Sequence, residues 1–269
     1  MICRTEGLVL RGYRMSESSK VAVIYTRESG KLRLVARGAR RPRSKFGASL
    51  EPMTWGTYVF YRRENRDLQT LSEGDILYPF GGIKQAYRRM AHACVVCDLL
   101  NHMTVDEDRN PLLYSVTLDT LRWMETIEEW AIEIPLWYFQ LKAASALGYR
   151  PHLSGCVRCG QRLSGVRVRF SPFEGGALCN GCDTSSGMAM DRFTVGFLEQ
   201  LQTGRPDRIE IGGVSGCDRA EARSALRMFL SYHIESRHRV KSLDFLDRML
   251  AAEGTDVRYR TEASGARRR

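Results

Sequence analysis

Lys20-Val21-Ala22-Val23-Ile24-Tyr25-Thr26-Arg27-Glu28-Ser29-Gly30-Lys31-Leu32-Arg33-Leu34-Val35-Ala36-Arg37 is the stretch on which the fold turns. Two runs rich in β-branched and apolar residues flank Glu28-Ser29-Gly30, the pattern of a tight hairpin. In the second run Leu32, Leu34 and Ala36 point one way, and Lys31, Arg33, Val35 and Arg37 point the other. One face is therefore core and the opposite face is cationic. Outward from this hairpin, Gly7 to Tyr13 supplies a strand before it. Trp55 to Arg63 and Leu68 to Tyr78 supply two after it, joined across Glu64-Asn65-Arg66-Asp67. Five short strands in residues 1–80 predict a small barrel, and the five-stranded OB-fold is the usual basic, oligonucleotide-binding form.

After Pro79 the apolar period becomes helical. Ile83 to Met103, Pro111 to Ile127 and Ile132 to Leu147 carry apolar residues three and four apart, and further helices are expected at Arg192 to Gln202, Asp218 to Glu235 and Leu243 to Leu250. Asn110-Pro111 is a helix start, because Asn caps and Pro is tolerated at the first helical position. The chain thus reads as an α+β multidomain protein: an OB-fold β-barrel over 1–80, then an α-helical domain over 81–250 with a cysteine module inserted at 152–187. Residues 251–269, polar, aperiodic and ending in three arginines, read as a disordered tail.

Charge and composition narrow the function. The net charge is +10, and residues 1–80 hold 15 Lys/Arg against 8 Asp/Glu while residues 81–150 hold 7 against 9. A positive excess gathered at the barrel end points to a polyanion partner. No apolar signal core opens the sequence and no stretch approaches a membrane span, so a cytoplasmic chain is expected.

The strongest motif is Cys156-x2-Cys159, 19 residues, then Cys179-x2-Cys182. Two CxxC pairs at this separation match the four-thiolate zinc pattern, with Gly160 and Gly181 permitting the turns and Val166 to Phe170 and Ala177-Leu178 reading as ribbon strands. Four sulfurs close the coordination sphere, so the expected Zn2+ is structural. Disulfides or free thiols are the alternative. Cys94 and Cys97 also form a CxxC, but inside a helix, on the face of Tyr87, Met90 and Leu100, where cysteine serves as a small core residue.

Arg37-Gly38-Ala39-Arg40-Arg41-Pro42-Arg43-Ser44-Lys45-Phe46-Gly47 follows the cationic strand. Lys31, Arg33, Arg37, Arg40, Arg41, Arg43 and Lys45 are the expected nucleic-acid contacts, with Phe46 and Tyr13 offering rings for stacking. No phosphate loop, dinucleotide fingerprint, HExxH or serine elbow is present. Asp106-Glu107-Asp108 suggests a metal-dependent nuclease, or simply acids favouring the following helix N-terminus. His233 and His238 lie about 140° apart around a helix and cannot grip one ion together. A non-enzymatic role is expected.

In order along the chain, Ser16-Glu17-Ser18-Ser19, Thr26-Arg27-Glu28-Ser29-Gly30-Lys31, residues 37–43, Leu147-Gly148-Tyr149-Arg150-Pro151, the four cysteines and Ser242-Leu243-Asp244-Phe245-Leu246 resemble the bacterial recombination mediator RecO. The resemblance runs to about Leu250. It implies an N-terminal OB-fold, a helical C-terminal domain with a zinc module, binding of single- and double-stranded DNA, and strand annealing. It also implies association with the nucleoid, docking on the tail of single-stranded-DNA-binding protein, and partnership with RecR in loading RecA. That tail is acidic with an apolar end, so Trp137, Tyr138, Leu141 and Lys142 on the third helix are a candidate receptor; so apolar a helix also fits plain core. A zinc-ribbon RNA-binding or transcription-associated protein shares the same barrel and charge.

Overall fold

A computed structural model of the chain describes residues 1–64, 66–182, 187–233 and 240–252. The strands are β1 (Ile2–Arg14), β2 (Lys20–Thr26), β3 (Gly30–Ala36), β4 (Trp55–Tyr61) and β5 (Leu68–Tyr78). They close in the order β1-β2-β3-β5-β4. All pairings are antiparallel except β3 with β5, which run parallel over Arg33–Val35. This is the expected OB-fold. β1 starts earlier than the hydrophobic pattern indicated, because it serves two neighbours: Ile2–Leu8 pairs with β4 and Gly7–Arg14 with β2. A register shift between Val9 and Arg11 lets one strand bend between them.

The barrel is buried on two sides. Val9, Ala22, Ile24, Leu32, Leu34 and Phe60 fill its interior, while Leu8, Leu10, Val23 and Tyr25 face outward into the core of the helical part. The uninterrupted apolar run of β2 follows from this double burial.

The helices are α1 (Gly81–Gln85), α2 (Tyr87–Met103), α3 (Pro111–Thr126), α4 (Glu133–Ala146), α5 (Arg192–Thr203), α6 (Arg219–His233) and α7, residues 241–252. The helix expected over Ile83 to Met103 is broken at Ala86, whose backbone is extended. Asn110 caps α3 as predicted, accepting from the Leu113 amide at 3.0 Å. α4 is buried nearly all round and forms the centre of the helical core. Between α4 and α5 lies a three-stranded sheet in the order β7-β6-β8, from β6 (Arg167–Ser171), β7 (Gly176–Leu178) and β8 (Met188–Asp191). β8 falls beyond the module end predicted at 187. Val168, Phe170, Ala177 and Met190 from this sheet join the helical core.

The seam between barrel and helices overturns two expectations. Because β5 covers β3 only from Arg33 onward, the backbone edge at residues 30–32 is left open. The Asp106–Asp108 turn fills it: Asp106 bridges to Lys31 and the Glu107 amide donates to the Lys31 carbonyl at 2.9 Å. Gly30, at φ +63°, lies so close that a Cβ there would stand 2.1 Å from the Asp108 carbonyl oxygen. The turn that carries these acids therefore closes the barrel edge, and none of them lies in the first turn of α3. Lys31 is only 7% exposed. Its Nζ donates to the Asn101 and Thr104 carbonyls at 2.7 and 2.6 Å and pairs with Asp106 at 3.3 Å. Lys31 lies on the predicted face, but helix covers that face at this point, so its ammonium has no open side to offer a phosphate. Across the same seam Arg62 pairs with Glu107 at 2.6 Å, and the Trp55 indole donates to the Tyr114 hydroxyl at 3.0 Å.

Cys97 and Leu100 are buried as expected, but Cys94, Tyr87 and Met90 are exposed, so that face of α2 is only half core. His233 contacts the Pro172 carbonyl at 3.1 Å. His238, Glu235 and the tail from residue 253 lie outside the described residues.

Lys31→Met keeps the aliphatic stem and removes the charge, leaving Asn101 and Thr104 carbonyls unsatisfied at the seam. We expect a stability loss of about 1–3 kcal/mol in urea unfolding, with nucleic-acid affinity close to wild type.

Candidate metal centre and nucleic-acid interface

The four cysteines meet. Cys156 and Cys159 sit on one tight turn, where the Gly160 amide donates to the Cys156 carbonyl at 2.9 Å and Gly160 takes φ +71°. Cys179 and Cys182 sit on the turn after β7, with the Cys182 amide donating to the Cys179 carbonyl at 3.1 Å. Their sulfurs all lie within 4.8 Å of one another. The Sγ atoms of Cys159 and Cys179 are 3.7 Å apart. Four thiolates at about 2.3 Å from a central ion have tetrahedral edges of about 3.8 Å, so the residues fit a metal ion. Among the described residues this is the only group of three or more His, Cys, Asp or Glu able to hold one.

The electrostatics favour ionisation at one corner. Burial opposes charging the Cys156 thiol, but N–H groups at Cys159, Cys179 and Arg158 outweigh it and bring its pKa down to about 6. Cys182 is pushed up to about 12, chiefly because it shares hydrogen bonds with the Cys159 and Cys179 sulfurs. Four thiols this close cannot all ionise alone; a divalent cation removes the conflict.

The second site is a cleft of about 840 Å³ on the barrel, between the β1–β2 turn, the end of β3 and the start of β5. Arg37, Arg41 and Arg66 line it beside the apolar surfaces of Met15, Val35 and Leu68. The basic loop that contributes Arg37 and Arg41 is ordered by successive turns, from the Arg41 amide to the Gly38 carbonyl and from the Ser44 amide to the Arg41 carbonyl, each at 3.1 Å.

The predicted contacts divide by position. Arg33, Arg37, Arg40, Arg41, Arg43 and Lys45 are exposed. Arg33 is held by Asp106 at 2.8 Å. Arg40 turns inward along the surface, its Nη1 donating to the Ser16 and Glu17 carbonyls at 3.1 and 2.9 Å, and so pins the turn that forms one cleft wall. Phe46 is buried in the barrel at 3% exposure and has no free face for a base. Tyr13 keeps an exposed ring, with the Arg11 guanidinium 6.0 Å from its centroid. Arg66, which the sequence places in the connecting turn Glu64-Asn65-Arg66-Asp67, also lines the cleft and is not among the contacts expected from sequence.

The receptor expected on α4 is corrected. Trp137 and Leu141 are each 1% exposed, so this face is core. Tyr138 reaches a cleft of about 600 Å³ with Trp123, Pro206 and two ion pairs, Arg122–Asp119 at 3.2 Å and Arg205–Asp207 at 3.3 Å. Lys142 lies 5.4 Å over the Tyr138 ring, and burial lowers its pKa, with Arg150 adding to the effect.

Comparison with known proteins identifies the family. The family profile described as Recombination protein O N terminal matches residues 1–80, and Recombination protein O C terminal matches residues 84–243. DNA repair protein RecO of Symbiobacterium thermophilum is 35% identical over 253 residues, 92% of this chain and 97% of that protein. DNA repair protein RecO of Roseiflexus sp. is 32% identical over 251 residues, covering 91% and 85%. That of Caldanaerobacter subterraneus is 29% identical over 246 residues, covering 90% and 96%. No helix among the described residues is long and apolar enough to cross a membrane. With the two halves of the family matched in order along barrel and helices, the chain belongs to the RecO family of DNA repair proteins.

Proposed function

We propose that this chain binds single- and double-stranded DNA through the barrel cleft and anneals complementary strands, without making or breaking bonds itself. The observation that carries this is the cleft of about 840 Å³, in which Arg37, Arg41 and Arg66 stand beside Met15, Val35 and Leu68, with Asp67, Thr70 and three serines completing a mixed lining. Cations neutralise phosphate and apolar surface accepts base faces, and neither contact depends on sequence. Two strands held this way are brought together with their charge neutralised, and base pairing completes the step. The nuclease alternative loses support because Asp106 is committed to Lys31 and Arg33, and Glu107 to Arg62.

At the four cysteines we assign Zn2+, the divalent ion that four thiolates at this spacing suit best. Its role is structural, since Cys156, Cys159, Cys179 and Cys182 leave no position for water. It fixes the two turns whose sheet supports α6 and the helical core. An RNA-binding or transcription-associated reading remains the second hypothesis, on the same charge and barrel.

Partnership with RecR, with single-stranded-DNA-binding protein and, indirectly, with RecA follows from the family. For the acidic tail of single-stranded-DNA-binding protein, the Tyr138 cleft replaces the α4 face. Trp123 and Pro206 supply apolar surface; Arg122 and Arg205 are paired there with Asp119 and Asp207 at 3.2 and 3.3 Å, so an acidic tail has to displace these exposed pairs, with the nearby Lys142 adding charge.

Four tests bear on these assignments. Arg37→Ala with Arg41→Ala should flatten the log-log salt dependence of single-stranded DNA binding by about 1.4, at ~0.7 per phosphate contact, with melting unchanged. Complementary strands should anneal faster with wild type than with this variant, and equal rates would favour the RNA reading. Purified chain should carry one zinc, and Cys179→Ser should lower the melting temperature and solubility before it alters DNA affinity per folded molecule. Arg205→Glu should weaken binding of the tail peptide about tenfold in a chain that stays folded, and undiminished binding would move the partner elsewhere.

A further inference from the structure

We propose that the turn between β4 and β5 carries a second phosphate-binding lane, formed by Arg62, Arg63 and Arg66, on which Glu107 stands in for a phosphodiester group. The inference rests on the nucleic-acid reading of the barrel cleft and extends it. Arg66 lines that cleft and also a separate depression of about 410 Å³, which it shares with Arg62, Arg63 and the three acids Glu64, Asp67 and Glu107, of which Glu107 is paired with an arginine of the turn. A backbone leaving the cleft past Arg66 therefore meets Arg63 and Arg62 next.

The turn is built to hold these cations in place. Gln69 is buried, and its side chain accepts from the Arg63 amide at 2.8 Å while donating to the Arg63 and Arg66 carbonyls at 3.0 and 2.7 Å. One side chain thereby fixes the backbone at two of the three arginines. Arg62 is fixed from the other side, its amide donating to the Met1 carbonyl at 2.8 Å.

Glu107 comes from the helical part and is equally constrained. Its amide is tied to the Lys31 carbonyl and its backbone takes φ +61°, a left-handed conformation uncommon for a residue with a side chain. From that position Oε2 reaches Arg62 Nη2 at 2.6 Å, with both side chains 39% exposed. A carboxylate on a guanidinium occupies the same donor fork that a phosphate takes.

An exposed pair of this kind is weak enough for a strand to displace. When phosphate takes Arg62, the released Glu107 carboxylate regathers a cation, offsetting the counterion set free from the nucleic acid. In the wild-type chain Arg62 should then add little to affinity and little to salt dependence. Removing the carboxylate charge should uncover both.

The test uses the full chain and a single-stranded oligonucleotide long enough to span both depressions, with binding followed by fluorescence anisotropy over a salt series. Glu107→Gln should tighten binding about threefold, and its salt slope should steepen by ~0.7. Arg62→Ala alone should change little, and Arg62→Ala placed in the Glu107→Gln chain should cancel the gain. Arg63→Ala, which leaves the seam intact, should flatten the slope by ~0.7 and keeps the lane testable if Glu107→Gln misfolds. Glu107→Gln and Arg63→Ala chains that both bind like wild type overturn the lane and leave the cleft standing. A wild-type chain that binds no oligonucleotide overturns the cleft reading first, and the lane with it.

Discussion

The Lys31 ammonium sits where three elements of the structure meet: the open edge of β3, the last turn of α2 and the Asp106–Asp108 turn. Burial lowers its pKa, and Asp106 works in the opposite direction. A charge in such a place is tolerated only when its hydrogen bonds are complete. Here the carbonyls of Asn101 and Thr104 and the Asp106 carboxylate complete them. The consequence reaches both ends of the molecule. The α2 terminus, whose carbonyls lack partners within the helix, is satisfied by a barrel residue, and the barrel edge, which β5 leaves open, is covered by a helical-domain segment. Barrel and helices share one continuous core through Leu8, Leu10, Val23 and Tyr25, so the cleft is presented on a fixed base.

That fixed base separates the cations by task. Lys31 works as a structural pin and Arg40 holds the β1–β2 turn. Arg33 and Arg62 are paired with acids from across the seam. Arg37, Arg41 and Arg66 remain at the cleft. A basic stretch that looks uniform as sequence therefore has an uneven potential along the surface, and the acids of the helical part shape it as much as the cations of the barrel do.

The cysteine module has a comparable double attachment. Its outer end is the four-sulfur cluster, and its inner face, through Val168, Phe170, Ala177 and Met190, belongs to the core that packs around α4. A metal ion at the outer end would order turns on which a packed sheet depends. Loss of the ion should then be felt as loss of packing.

Much of this was legible in the residues themselves. Alternation in Leu32, Leu34 and Ala36, the turn at Glu28-Ser29-Gly30 and the Asn110 cap are local signals, and each is realised where it was placed. The CxxC pairs likewise fix their ligands by spacing, because two tight turns leave few ways to arrange four sulfurs. What the sequence could not settle was the far side of each surface. Lys31 and Arg33 are two residues apart on one strand face, yet one is buried and the other exposed, because the covering segment lies some 70 residues on. Phe46 reads as a loop aromatic and Trp137 as half of a groove until the barrel interior and α6 close over them. Periodicity tells which residues share a face. Only the tertiary structure decides what that face meets, since burial depends on contacts between segments distant in the chain.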